Sequence, residues 1–346
     1  MAPHASAPAA PAGTFPSPVQ IFQTLNGTTH SAILRTAIEL DVFTRVGQGE
    51  DTAAVLASST QCSERGVRML CDSLTALGLL TKESGHYQLT RDTAVFLDRN
   101  SPAYLGTCVE FLFSPLMLEG LGRMTEAVRK GGTAIADHPS MQPDSASWVN
   151  FARNMAPLQR FPAQAMAKLL VPKPAGPCKV LDIAAGHGLF GISMAEQHPQ
   201  AEIYALDWPQ VLTVAQENAA AAGVANRFHT IPGNAFEVDF GSGYDWILLP
   251  NFLHHFDPPT CEAVLRKVRA ALGPEGEAAI LEFVTDDDKV SPPPAALFSI
   301  VMLTTTPAGD AYSYAELDAM CRNAGFSETE LHPLPPAFQR VVIATP

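Results

Sequence analysis

Apolar positions along the chain change period near its middle. From Val19 to about Leu105 they recur at helical spacing in short segments: Ala32 to Leu40 leads into Val42 and Phe43, and a second helix runs from Asp51 to near Ser58. Ser63 caps a third helix, which carries Val67, Leu70, Leu74 and Leu77 on one face and Glu64, Arg65, Arg68 and Asp72 on the other. Gly78 ends it, and the alternation in LLTKESGHYQLT predicts a hairpin turning at Glu83 to Gly85. Helices followed by a two-stranded wing predict a winged-helix shape.

Between Ala103 and Met166 the pattern is helical and rich in large, soft side chains: Phe111, Phe113, Met117, Met124, Trp148, Phe151, Met155 and Phe161. Any one of them suits a core, but together they could roof a pocket for a planar aromatic molecule. Gly131-Gly132 and the loop His138 to Asp144 are where that roof could flex. After the stiff Pro172-Lys173-Pro174 linker, strands alternate with helices. Strands are predicted at Lys179–Ile183, Glu202–Leu206, Arg227–Ile231, Trp246–Leu249 and Ala278–Phe283, and helices include Gln210–Ala222 and Pro259–Leu272. This alternation predicts an α/β domain with a doubly wound, mostly parallel sheet. Glu328–Leu334 and Gln339–Ala344, joined by Pro335-Pro336-Ala337, should add an antiparallel edge pair. The expected division is a disordered tail over residues 1–18, a winged-helix domain over 19–105, a helical connector over 106–172 and a ligand-binding domain over 173–346.

Composition narrows the partners. A chain of 346 residues exceeds one core, and a net charge of -13 argues against a nucleic-acid partner, although Arg65 and Arg68 on the third helix would be the contacts in a DNA-binding reading. Six cysteines without C-x-x-C spacing read as reduced thiols of a cytoplasmic protein. The Ala/Pro-rich start lacks the features of a signal peptide, and no apolar stretch approaches the length of a membrane span.

The chemistry concentrates in Val180–Gly191, VLDIAAGHGLFG, a strand, a small-residue turn and a helix start, followed by Asp207 at the end of the next strand. Gly186, Gly188 and Gly191 satisfy G-x-G-x-x-G, so a dinucleotide and S-adenosylmethionine both fit the glycines. Asp182 separates them: it would repel a pyrophosphate but could meet the ammonium of an amino-acid tail. Asp207 would hold ribose hydroxyls, and Trp208 offers a face for adenine. Downstream, DWILLPNFLHHFD turns at Pro250-Asn251 and presents His254 and His255, of which only one is expected to face the reacting carbon. Histidine suits a general base near neutral pH, and Glu282, at the end of the fifth strand, could set its tautomer. Adjacent histidines cannot easily share a metal ion and no third ligand has suitable spacing, so no metal is expected.

At these residues the chain resembles the two-domain, small-molecule O-methyltransferases of plants and bacteria, of which caffeic acid O-methyltransferase is typical. The resemblance runs from Phe22 onward and implies a Rossmann-like C-terminal domain and a homodimer formed through the N-terminal one. The family's V-D-x-G-G-G-x-G reads Leu181 to Gly188 here, and Asp207 matches its ribose-binding acid. G-D-M-F matches Gly233-Asn234-Ala235-Phe236, at the adenine. W-x-x-H-D-W matches Asn251 to Phe256, which implies His254 as base, and Glu282 falls on a flanking glutamate. Phe151 to Met155 resembles the segment whose methionine packs on the acceptor. The family's lysine ahead of the catalytic motif is Pro250 here, and its G-x-x-R-T segment with a second glutamate is Gly309 to Ser313, with Asp310 as the candidate substitute.

The resulting expectation is an S-adenosylmethionine-dependent O-methyltransferase acting on an aromatic hydroxyl of a secondary metabolite. Its catalytic residues would be His254 and Glu282. Its cofactor residues would be Asp182, Gly186, Gly188, Asp207, Trp208, Asn234, Ala235, Phe236 and Asn251, and its acceptor wall Phe111, Met155, Phe298 and Met302. Carbon or nitrogen methylation, a cofactor-binding enzyme that transfers no methyl, a winged-helix regulator and a nicotinamide-dependent oxidoreductase remain the alternatives.

Overall fold

The computed structural model describes residues 16–136, 146–170 and 176–346. Most of the predicted tail, the loop His138–Asp144 and the Pro172-Lys173-Pro174 linker lie outside the described residues. The chain divides into two compact units, residues 1–106 and 107–346.

The first unit is helical apart from one hairpin, β1 (Leu80–Glu83) and β2 (His86–Leu89). Ser84 and Gly85 both take positive φ, the conformation that a two-residue hairpin turn requires. Ser63 caps the helix Glu64–Ala76 by accepting the Gly66 N–H, and Val67, Cys71 and Leu74 are buried beneath it. On the opposite face Arg68 pairs with Asp72, which also binds Lys82 and the Tyr87 hydroxyl. That basic side chain is thus tied to the wing.

The second unit is built on a seven-stranded Rossmann-like sheet. Its strands are β3 (Cys178–Ile183), β4 (Ala201–Asp207), β5 (Phe228–Pro232), β6 (Tyr244–Pro250), β7 (Leu272–Glu282), β8 (Glu328–Pro333) and β9 (Arg340–Thr345), in the order β5-β4-β3-β6-β7-β9-β8. The first five are parallel, and β9 and β8 close the edge in antiparallel fashion. Chain order reverses between β3 and β6, the place where an open α/β sheet leaves a crevice at the strands' carboxyl ends.

Alternation along β3 separates two cores. Leu181 and Ile183 pack with Ile247 and Leu265 on one face, and Val180 packs with Ile192 and Met194 on the other. The connector helices belong to this unit rather than to a domain of their own, together with the helix Pro293–Thr305. Their junctions are tight: a Cβ on Gly120 would lie 3.0 Å from the Thr304 carbonyl oxygen, and one on Gly132 only 2.2 Å from that of Pro307. Thr133 also donates its N–H to the Thr306 carbonyl at 2.9 Å. The Gly131-Gly132 turn, expected to be a flexing point, is therefore pinned by close backbone packing. Among the described residues no helix is long and apolar enough to cross a membrane.

Candidate active site

A cavity of about 620 Å3 opens where β3, β4 and β6 end. The loop after β3 passes through three residues of positive φ, Ala184 (54°), Gly186 (57°) and Gly188 (74°). An alanine in this region costs about 1 to 2 kcal/mol, and it stands where the related motif keeps a glycine. Gly186 lines the cavity and donates its N–H to Asp207 Oδ2 at 2.8 Å. Gly188, expected at the cofactor, does not line it. A Cβ there would lie 2.9 Å from the Cβ of Ala215, so its small size serves the packing of the helix Pro209–Ala221.

Asp182 also departs from its expected place. Strand alternation turns its side chain toward the helix Leu189–Gln197, where it is fully buried under the loop instead of meeting an ammonium directly. Its Oδ2 accepts the Gly191 N–H at 2.9 Å, and its Oδ1 has no partner among the described residues. Burial pushes its carboxyl up to about 7 and that of Asp207 up to about 6, against the opposing pull of their backbone donors. The Leu189 N–H meets His187 Nδ1 at 3.2 Å. Two N–H groups at the start of this helix are thus capped by the chain's own side chains, with two acids close by. That makes a poor seat for a pyrophosphate.

Asp207 ends β4, and its Oδ1 accepts the Trp208 N–H at 2.7 Å. Trp208, Asn234, Ala235 and Phe236 all line the cavity. Asn234 is engaged locally, accepting from the Phe236 N–H and donating to Glu237, both at 3.0 Å. Asn251, with φ of 54°, donates to Gln159 at 3.4 Å, and its buried Oδ1 has no partner among the described residues. No lysine or arginine is among the described lining residues. The Asp207 carboxylate, an amide oxygen and aromatic faces fit a nucleoside with a positively charged tail.

Past Asn251 the chain makes a single 3-10 turn, Leu253–His255. This turn brings both histidines to the same cavity, with ring centroids 4.3 Å apart. The His255 ring stands edge-on to Trp148 at 5.3 Å, and burial together with its charged-when-protonated neighbour holds its pKa well below the ordinary value. His254 contacts buried Glu282 through Nδ1 at 2.5 Å. The other Glu282 oxygen accepts the N–H groups of Phe252, Leu253 and His254 at 3.0, 2.8 and 3.3 Å.

Asp310 does not join this network. It is well exposed, 3.7 Å from Lys289, and outside the cavity lining. The reason lies next to it: a Cβ on Gly309 would be 2.2 Å from the His254 carbonyl oxygen, so the backbone itself fills the space beside the turn. From the same segment the Tyr312 hydroxyl donates to the Phe256 carbonyl. Phe111, Met155, Phe298 and Met302 line the rest of the cavity, Phe298 standing edge-on to His254 at 4.9 Å and stacked on Phe283 at 4.1 Å. His187, Tyr312 and the backbone-binding oxygen of Glu282 were not assigned roles from sequence, whereas Trp148, read as part of the roof, does line the cavity. Only His187 carried a local sign, its place inside the glycine loop. Among the described residues no group of three His, Cys, Asp or Glu is placed to share a metal ion.

Residues 151–327 match the model of the O-methyltransferase domain, and residues 22–99 that of the O-methyltransferase dimerisation domain. The chain belongs to the O-methyltransferase family. A crystal structure from Nostoc punctiforme, described as a candidate O-methyltransferase, is 50% identical, with a TM-score of 0.91 over 96% of this chain and 99% of that one. The 3-hydroxy-5-methyl-1-naphthoate 3-O-methyltransferase of Streptomyces sahachiroi is 31% identical over 90% of each chain. Human N-acetylserotonin methyltransferase, solved with S-adenosylmethionine, is 19% identical but shares the fold, with a TM-score of 0.83 over 97% and 99% of the two chains. This family member is an S-adenosylmethionine-dependent methyltransferase.

Proposed function

We propose that this O-methyltransferase family member methylates an aromatic hydroxyl of a small secondary metabolite, with His254 as general base. The observation that carries this reading is the contact between His254 Nδ1 and Glu282, because a proton held there leaves Nε2 unprotonated at the cavity wall. The relative from Streptomyces sahachiroi acts, by its name, on a hydroxylated naphthoate, and the aromatic wall here suits a planar acceptor of that kind.

The bound donor supplies a methyl group on a sulfonium, already activated toward displacement. What the chain adds is position and a proton acceptor. Asp207 would accept the ribose hydroxyls, with Trp208 and Phe236 beside the adenine and Asn251 facing the tail. Phe298, Met155, Met302 and Phe111 would clamp the acceptor ring. Nε2 of His254 would take the hydroxyl proton as the oxygen attacks, and Glu282 would stabilise the resulting imidazolium. We further propose a homodimer formed through the N-terminal unit. Its first helix, Val19–Leu25, buries none of its residues, and Val19, Ile21, Phe22 and Leu25 are 57 to 68% exposed.

The deciding experiment incubates the protein with methyl-labelled S-adenosylmethionine and a panel of naphthols and hydroxynaphthoates, and locates the label by NMR. A methyl on oxygen supports the proposal. A methyl on ring carbon or nitrogen, or no transfer across a broad panel, rejects it.

A further inference from the structure

His187 is 3% exposed and lies inside the glycine loop, yet it lines the cavity. Its ring is flanked by Phe151 and Phe190, with centroids 6.3 and 6.0 Å away, and its carbonyl is held by Asn218 Nδ2 at 2.8 Å. The decisive contact is the Leu189 N–H, which points at Nδ1 from 3.2 Å. A nitrogen that accepts a backbone N–H cannot carry its own proton, so in the neutral ring the proton sits on Nε2. Among the described residues no hydrogen bond reaches Nε2, and the residue lines the cavity. Burial lowers the ring's pKa to about 4, so it stays neutral at physiological pH.

An Nε2–H can only donate. Of the polar groups on the methyl donor, the ammonium is itself a donor, the ribose hydroxyls have Asp207, and the adenine lies toward Asn234 and Phe236. The α-carboxylate is left. No lysine or arginine is among the described lining residues, so no cation is at hand to receive that negative charge. We propose that His187 binds the carboxylate of the donor's amino-acid tail through a neutral Nε2–H. A neutral donor suits this place, because an arginine would set a second positive charge near the sulfonium and weaken binding of the donor relative to its demethylated product.

The inference rests on the donor occupying this cavity. Calorimetry with S-adenosylhomocysteine and with its decarboxylated analogue, which keeps the ammonium and the nucleoside, tests it on the full chain. A hydrogen bond to a charged group predicts that His187→Phe weakens S-adenosylhomocysteine by about 10- to 100-fold and leaves the analogue within about threefold. His187→Gln, which restores an N–H, should recover part of the difference and guards against a folding defect. Equal weakening of both ligands would reduce His187 to a packing residue, and unchanged affinity for both would remove it from the site. If the unmodified protein binds neither ligand, the assignment of the donor to this cavity falls, and this proposal with it.

Discussion

Glu282 holds His254 twice, through the imidazole Nδ1 with one oxygen and through the peptide N–H with the other. The carboxylate therefore fixes the tautomer of the ring and the backbone turn that aims it. Replacing Glu282 with Gln separates these roles. The amide oxygen can still accept backbone N–H groups, but the amide NH2 would face Nδ1 and drive the imidazole proton onto Nε2, the atom that must accept. Glu282→Gln should therefore fold and bind S-adenosylhomocysteine normally while kcat falls by about 10²- to 10⁴-fold, in the manner of His254→Ala. Nitrogen-15 NMR of the histidines provides the check. If kcat survives in either variant, His254 is not the base.

Gly309 tests the same turn from its other side. A methyl group there would meet the His254 carbonyl oxygen at 2.2 Å and Thr306 Oγ1 at 2.6 Å, so the turn must move. Gly309→Ala is expected to cost roughly 1 to 3 kcal/mol of stability, as overpacking usually does. Asp207 and Trp208 lie on another strand end, so turnover should drop while the dissociation constant for S-adenosylhomocysteine stays within about twofold, an effect too small for a lost hydrogen bond. Parallel kinetics and calorimetry on this variant measure both. Loss of ligand binding together with activity would mean that the damage spreads beyond the turn.

The sheet was legible because its parallel strands carry short apolar runs, two of which end in an acid, YALD at Asp207 and ILE at Glu282. The wing was legible because Ser84-Gly85 supplies the residues that its turn demands. Side-chain direction was harder to read. Asp182 sits in the motif at the right distance from the glycines, but its position in the alternation of β3 sends it under the loop. Nothing in the sequence signalled that a 3-10 turn would place both histidines on the lining of one cavity. Asp310 was considered for its charge, whereas the contact that counts there is the absence of a side chain on Gly309. Contacts that depend on backbone atoms, or on residues far apart in sequence, leave no local pattern to recognise.

With Asp207 holding the ribose as proposed, cofactor binding should depend on pH. The Asp207 carboxyl, pushed up to about 6 by burial, is partly protonated in the ligand-free protein near that pH. Hydrogen bonds from ribose hydroxyls favour the ionised form, so ligand binding lowers the pKa and releases a proton. Affinity for S-adenosylhomocysteine should thus rise between pH 5 and about pH 7 and level off above, by at most about tenfold per pH unit. Calorimetry in buffers of different ionisation enthalpy would register the released proton at pH 6. Asp207→Asn should bind more weakly and lose that slope. A slope unchanged in Asp207→Asn would assign the proton to another group.

Asp182 carries the corresponding stability test. Burial pushes its carboxyl up to about 7 in the folded chain, against 3.8 for the ordinary group. Well below pH 3.8 it is protonated in both folded and unfolded chains and contributes no pH dependence. Between 4 and 7 only the unfolded chain gives up the proton, so the folded state loses ground as pH rises, and above 7 the loss is constant. The span corresponds to roughly 4 kcal/mol, an upper bound once the loop relaxes. Asp182→Asn has the same shape, stays neutral and can still accept the Gly191 N–H. The ligand-free variant should therefore melt near the parent temperature at pH 4.5 and well above it at pH 8. The gap should narrow when S-adenosylmethionine is present, because a cationic ligand stabilises the ionised parent more than the neutral variant. A variant that melts below the parent at pH 8 without ligand would show that the buried carboxylate is already compensated within the loop, leaving its charge no part in favouring the methyl donor over a dinucleotide.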